Sequence, residues 1–396
     1  MVEAVSENGY ERTSVKQVVG LAGVSRRAFY EQFANKEECF LATFDLIAAR
    51  CIRRITDAYR SSEGDFEDRL RSAFLAFANE LETNTKEAHL VVIDAQLVGI
   101  NGMLRMRRTT SAFEHLISSS FAHTQGVTPL PRPVVRAIVG GLRRVTFLHL
   151  HDGRVGELRS LVEEMLHWTL LFQTPAVNDL ETGASSSGPP QPPAQVTTNA
   201  RKRRDERMRI LDGVLELAIS EDYQELSAPR IADEAQVSVE FFFELFADRD
   251  ECFLAAFDAL GDELLGVISD PRSAAPTWPG SVHGAIDVLM RHLAANPVHA
   301  ETIAMSALAA GDTAIEHAAV LMRRVSTTLI AGAPASTGGH FITEGIAGAI
   351  WHTIHCHVAS RQTRMLPTLS DYLTFVVLAP FVGAEEAAHT VTGTPA

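Results

Sequence analysis

Apolar residues recur at three- and four-residue spacing along most of the chain, the period of an α-helix with one buried face. Leu70, Phe74, Phe77 and Leu81 make one such stripe, and Leu158, Leu161, Val162, Met165 and Trp168 make another. Gly, Pro, Ser and Asp clusters at 61–64, 128–133, 152–156, 271–279 and 331–339 mark where the predicted helices stop. No segment alternates apolar and polar residues over a β-branched run, as a half-buried strand would. The expected fold class is therefore all-α.

The helical pattern lapses at 181–200, ETGASSSGPPQPPAQVTTNA, where Gly, Ser, Pro and Gln leave nothing to pack. This stretch reads as an interdomain linker between two halves of similar length. The halves are related: residues 9–45 lie over 222–258 without a gap, and sixteen aligned positions are identical, among them Tyr10, Ser25, Phe29, Phe33, Cys39, Phe40 and Phe44. A weaker echo sets AIVGGLRRV at 137–145 over GIAGAIWHT at 345–353. The repeating unit is a whole half of the chain, far longer than a solenoid motif.

Within the first copy, Val15, Val18, Val19 and Ala22 share a helical face, Gly23 permits a sharp reversal, and Ser25 can cap a second helix that turns Phe29 and Phe33 inward. Two short helices joined by a tight glycine turn make a helix-turn-helix, whose second helix enters the major groove by its N-terminal residues. Arg26 and Arg27 stand at that place, where a guanidinium can fork onto a guanine edge or a phosphate, and Tyr30 lies one turn on. Asn35 can cap a third helix in a box closed by Glu38, and Lys36 at its start is placed to reach a phosphate.

The stretch GYERTSVKQVVGLAGVSRRAFYEQFANKEECF resembles the TetR family of bacterial transcriptional regulators. The likeness lies in the Gly-Tyr, the Thr-Ser helix start, the A-G-V-S turn, the Tyr-x-x-Phe recognition helix and the Lys-Glu pair. It implies a small three-helix head that binds operator DNA and a larger helical region that dimerises and holds a small effector. It also implies Thr13, Ser14, Arg26, Arg27, Tyr30 and Lys36 as DNA contacts, with Ser25 beside them and Arg249 in the place of Lys36. The chain then divides into a head at 1–47 with a shortened first helix, a helical effector domain at 48–180, the linker, a degenerate second head at 201–260 and a second helical domain at 261–396.

The second copy, SAPRIADEAQVSVEFFFELFADRDECF, keeps the apolar skeleton but puts Val239 and Glu240 where Arg26 and Arg27 stand, Phe243 at Tyr30 and Gln236 at Gly23. An acid on the groove face repels phosphate. Only Arg249 and the basic run at 201–204 with Arg207 and Arg209 favour DNA there. Two fused units imply an intramolecular pseudo-dimer with unequal heads, compatible with a further homo-oligomer. The expected function is a sequence-specific regulator, a repressor released by a small apolar effector. The alternative is a helical effector-binding or protein-interaction module that has lost DNA binding.

Charge and composition narrow these readings. The chain has 396 residues, 46% hydrophobic and 21% charged, with 35 basic against 49 acidic residues for a formal net charge of −14. That balance opposes indiscriminate adhesion to nucleic acid or anionic lipid, so any DNA contact is local. Four dispersed cysteines without a CxxC pair suit a reducing cytoplasm, and neither a secretory leader nor a membrane-spanning run is expected. Effector-lining candidates are Met103, Met106, Phe113 and Phe147 in the first half and Met290, Met305, Phe341 and Trp351 in the second. His352, His355 and Cys356 cluster on one predicted helix, but ligands from a single helix need convergent partners, so no metal and no cofactor are assigned. No GxSxG elbow, P-loop, Rossmann fingerprint or HExxH occurs, which argues against an enzyme of familiar mechanism.

Overall fold

The computed structural model describes residues 1–182, 200–220, 223–269, 275–306, 311–334 and 339–392, and the linker predicted at 181–200 lies almost wholly outside them. The described secondary structure is helical, with no strand among these residues. The chain forms two compact units. Unit 1 comprises Met1–Val177 together with Ser336–Ala349, and unit 2 comprises Asn178–Ala335 with Ile350–Ala396.

Unit 1 opens with α1 (Val2–Arg12), which breaks at Gly9, where φ is 74°. Helix α2 (Val15–Ala22) begins at a capping box in which the Ser14 side chain accepts from the Gln17 N–H and the Gln17 side chain accepts from the Ser14 N–H. It ends at Gly23, held left-handed at φ 66° and ψ 25°. Ser25 then caps α3 (Arg26–Gln32) by accepting from the Ala28 N–H at 3.0 Å. Asn35 caps α4 (Lys36–Ser61), while Glu38 accepts from the Ala34 N–H at 2.6 Å, one residue farther back than a standard box. Ala4, Val18, Val19, Phe29 and Cys39 form the core of this head.

Helix α4 continues well beyond the head, for about 39 Å at 1.5 Å per residue. Against it pack α5 (Phe66–Thr83), α6 (Thr85–Val92) and α7 (Gly99–Ala122), and on these in turn α8 (Arg132–His151) and α9 (Val162–Leu170). Of the predicted stripes, Leu70, Leu81, Leu158, Val162, Met165 and Trp168 are interior, while Phe74, Phe77 and Leu161 are half-buried. The head is joined to this bundle by a shared core, because Val5 of α1 packs in one cluster with Phe40, Phe44, Leu90, Ala95 and Val98.

Unit 2 begins with α10 (Ala200–Ser220), α11 (Ala228–Glu234), α12 (Val239–Leu245) and α13 (Arg249–Ile268). Two of these helices are capped by side chains. Ser238 accepts from the Phe241 N–H, Asp248 from the Glu251 N–H, and Glu251 from the Ala247 N–H. Then follow α14 (Trp278–Ala295), α15 (Pro297–Glu301), α16 (Asp312–Ile330), α17 (Gly339–Ala359), α18 (Ser370–Val382) and α19 (Ala384–Thr392). Among the described residues one helical stretch, Thr363–Val382, is long and apolar enough to cross a membrane. Its central residues Leu373 to Ala379 are buried inside the protein, as in a core helix.

The first part of α17 belongs to unit 1. There Arg144 Nε bonds Glu344 Oε2 at 3.0 Å, with side chains 5% and 1% exposed. Small residues allow this close approach. A Cβ added at Gly348 would lie 2.4 Å from the Gly140 carbonyl oxygen, and one at Gly141 would lie 2.8 Å from the Trp168 ring. Trp168 fills the space beside them, donating its indole N–H to the Ile138 carbonyl at 3.2 Å and meeting Phe341 at 6.4 Å between ring centroids.

Candidate DNA interface and effector cavity

Every residue from Gly20 to Arg27 is exposed, so the glycine turn and the start of α3 form one outward surface. Arg26 lies on it and makes no ion pair among the described residues. Arg27 Nε bonds Glu31 Oε1 at 3.0 Å, yet its side chain remains 90% exposed. An exposed pair four residues apart on a helix contributes only about 0.3–0.5 kcal/mol, too little to hold the guanidinium away from a phosphate. Tyr30 is exposed beside them, its ring set edge-on to the buried Phe29. Leu21 and Val24 are also exposed here, apolar groups of the size that meets a thymine methyl.

Three predicted contacts take other positions. Thr13 is 3% exposed, and its hydroxyl is shared between the Gly9 carbonyl at 2.7 Å and the Ala4 carbonyl at 3.0 Å. It stitches α1 across its break at Gly9. Lys36 turns back toward α1, where its Nζ donates to the Tyr10 carbonyl at 2.8 Å and the Glu11 carbonyl at 3.3 Å and lies 4.2 Å from the centre of the Tyr10 ring. Burial lowers the Lys36 pKa, and Glu11 partly opposes that. Arg249 repeats the arrangement in unit 2, donating to the carbonyls of Tyr223 and Leu226, each at 2.9 Å. Ser14 and Ser25 are exposed caps at the starts of α2 and α3, where a hydroxyl stands at the edge of the surface.

Sequence reasoning passed over Arg12 and Lys16, both exposed and outside any ion pair among the described residues. The signal was available, since Lys16 lies in the first turn of the capped helix α2. In the second head the matching surface carries Glu240 and Phe243, both exposed, and Arg230 is paired with Glu234 at 3.1 Å. The side chains of the basic run at 201–204 lie outside the described residues.

Beyond the head, unit 1 holds a partly open cavity of about 510 Å³, within the range of small-molecule pockets. Ile47, Cys51, Ile55, Phe74, Phe77, Phe113, Leu142 and Met165 give it apolar walls drawn from α4, α5, α7, α8 and α9. Of the residues predicted to line such a site, Met106 and Phe113 do so. Met103 and Phe147 are half-buried outside its lining, and Phe147 stacks on His151. In unit 2, Met290 is fully buried while Met305 and Trp351 are half-buried. His355 Nδ1 lies 2.9 Å from the Ala304 carbonyl, and His352 Nε2 lies 3.5 Å from Cys356 Sγ.

Polar groups sit in two places on the cavity wall. Glu80, 3% exposed, has both carboxylate oxygens paired: Oε1 with Arg50 Nε at 2.9 Å and Oε2 with Arg54. Arg50 is also paired with Glu87. Elsewhere on the wall, Arg69 lies over the Tyr59 ring at 4.3 Å, and Arg60 makes no ion pair among the described residues. Cys51 faces this space with its thiol pushed up to about 12, chiefly by burial and next by Glu80, which keeps it protonated and unreactive.

Residues 2–43 match the family model described as bacterial regulatory proteins, tetR family. The matched segment runs from α1 through the first turns of α4, the same head whose outward surface carries Arg26 and Arg27. No curated protein matches the chain. Among solved structures the chain is similar to the fatty acid degradation regulator FadR from Bacillus halodurans, at 19% identity and a TM-score of 0.38. That alignment covers 43% of this chain and 93% of the other.

Proposed function

We propose that the protein is a sequence-specific DNA-binding transcriptional regulator, a repressor that releases its operator when a small molecule fills the unit 1 cavity. The observation that carries this reading is the pair Arg26 and Arg27, exposed at the start of α3 directly after the left-handed Gly23. Their position is that of the residues which read base edges in a helix-turn-helix, and the TetR-type match over the same residues supports it. Glu240 at the matching place favours a second head that contributes little DNA affinity of its own. The protein acts in the cytoplasm and the operator is asymmetric.

The cavity and the head are tied by two routes within unit 1. Helix α4 begins at the head and passes Arg50, Cys51, Ile55 and Tyr59 along the cavity wall. Helix α1 shares its core with Leu90, Ala95 and Val98, next to α6, whose Ala88, Val91 and Val92 also line the cavity. A ligand that displaces either wall shifts the head, provided it binds the two head positions with different affinity. The lining suits an amphipathic effector with an apolar body and one polar end.

The pseudo-dimer is supported by a contact inside unit 1. Gly140 and Gly348 occupy equivalent places in the weaker repeat, and they meet each other. Equivalent residues in mutual contact are what an isologous interface between the two repeats would give.

Fluorescence polarisation with DNA from the chain's own upstream region tests the function. Arg26→Ala and Arg27→Ala should each weaken specific binding by about 1–3 kcal/mol if they read bases, and a phosphate contact should lower the salt slope by about 0.9. Binding and slope left unchanged by both substitutions would instead favour an effector-binding module without DNA recognition.

A further inference from the structure

Unit 2 contains a constellation that the DNA and effector reading does not use. Glu263 from α13, His292 from α14 and His299 from α15 bring Oε1, Nε2 and Nδ1 together at one point. His292 Nε2 lies 3.3 Å from His299 Nδ1 and 3.3 Å from Glu263 Oε1, and His299 Nδ1 lies 3.9 Å from the same oxygen. The imidazoles are 17% and 23% exposed, so the nitrogens face one another in a partly closed space while Glu263 stands at its edge. Asp212 of α10 lies within electrostatic reach of both His299 and Glu263, which adds negative charge to the surroundings.

We propose that Glu263, His292 and His299 form a binding site for a divalent transition metal of the zinc type. Zinc bound at 2.0–2.2 Å by imidazole nitrogen and carboxylate oxygen in tetrahedral geometry has ligand-to-ligand edges of about 3.3–3.5 Å. Two of the three edges already match, and the third closes with a small rotation of the half-exposed Glu263 side chain. A network of hydrogen bonds alone fits less well, because a single proton on His292 Nε2 can serve only one of its two neighbours. Two nitrogen donors select Zn²⁺, Co²⁺ or Ni²⁺ over Mg²⁺ and Ca²⁺, which take oxygen ligands. The fourth position is left to water.

The consequence is mechanical and stands apart from the DNA reading. The metal fastens α13, the long helix leaving the second head, to α14 and α15, in addition to their apolar packing through residues such as Leu264, Leu289 and Leu293. Metal binding therefore stabilises unit 2, and chelation loosens it.

The test uses the full chain stripped with a chelator, then titrated with Zn²⁺ by calorimetry and with Co²⁺ by visible absorption, alongside thermal unfolding. The wild type should bind Zn²⁺ stoichiometrically and melt at higher temperature with it, with Co²⁺ giving a tetrahedral spectrum and Mg²⁺ having no effect. Glu263→Gln and His299→Gln should each weaken Zn²⁺ binding by more than about 100-fold, since removing a direct ligand exceeds the 10- to 100-fold effect of an outer partner. His317→Gln, which alters the separate pair of His317 with Asp258 at 2.7 Å, should bind as the wild type. Glu263 is half-exposed, so its substitution leaves the fold intact, as far-UV circular dichroism checks. No binding by the wild type, or undiminished binding in both ligand variants, overturns the proposal.

Discussion

Gly23 and Gln236 hold the same place in the two heads and the same left-handed backbone, at φ 66° and φ 53°. At Gly23 a Cβ would meet nothing within 4 Å, so any cost of a side chain is conformational. An L-residue in this region costs about 1–2 kcal/mol. Gly23→Ala should therefore destabilise the first head by about 1 kcal/mol, while Gln236→Gly should stabilise the second by somewhat less, because glycine also loosens the unfolded chain. Urea unfolding of the wild type, the two single variants and the double variant checks both signs. Equal effects in one direction would mean that the turns are not equivalent.

Thr13 and Ser14 show how neighbouring hydroxyls part company when the chain folds. A Thr-Ser pair before a helix offers two hydroxyls, and spacing cannot tell which one caps. Ser14 caps α2 outwardly, whereas Thr13 closes the break that Gly9 makes in α1. The pattern of apolar residues around it carries no trace of that break.

At the scale of elements, the turn that joins α2 to α3 was legible because its chemistry is local: a cap, a glycine and inward aromatics within about twenty residues. The cavity was not, since its wall gathers side chains from several helices whose packing no spacing reveals. The same holds for Glu263, His292 and His299, which are separated by unremarkable sequence and meet only when α13, α14 and α15 pack. Lys36 was placed at a helix start correctly, but its direction depends on where α1 ends. Its amine reaches back to the Tyr10 and Glu11 carbonyls, as Arg249 reaches to Tyr223 and Leu226, so both cations tie a long helix to the end of the first. Lys36→Met should lower stability by about 1–2 kcal/mol, the worth of charge-assisted bonds at a half-exposed site. It should leave the salt slope of DNA binding unchanged, whereas loss of a phosphate contact would lower that slope by about 0.9. Polarisation at several salt concentrations, with urea unfolding of the same variant, distinguishes a tie from a contact.

For the whole molecule, the decisive packing lies where α8, α9 and the first part of α17 meet inside unit 1. Arg144 and Glu344 are buried together there, and the glycines at 140, 141, 345 and 348 bring the helices close enough for Trp168 to seal the junction. Segment 336–349 comes from the far side of the linker, so this packing makes unit 1 depend on chain that follows the second head. Removing one member of a buried ion pair leaves an uncompensated charge and costs about 3–5 kcal/mol, while replacing both by apolar groups of similar volume is close to neutral. Arg144→Met and Glu344→Leu should each unfold unit 1 at markedly lower urea, and the double variant should recover most of the loss. Gly348→Ala has no such partner to restore it, because its methyl group would lie 2.4 Å from backbone at Gly140. A chain cut within the linker tests the same dependence: the first half alone, lacking 336–349, should expose the Trp168 face, bind a hydrophobic dye and melt early. Supplying the second half in trans should restore the wild-type melt, and an unchanged melt of the first half alone would show that the buried pair does not sustain unit 1.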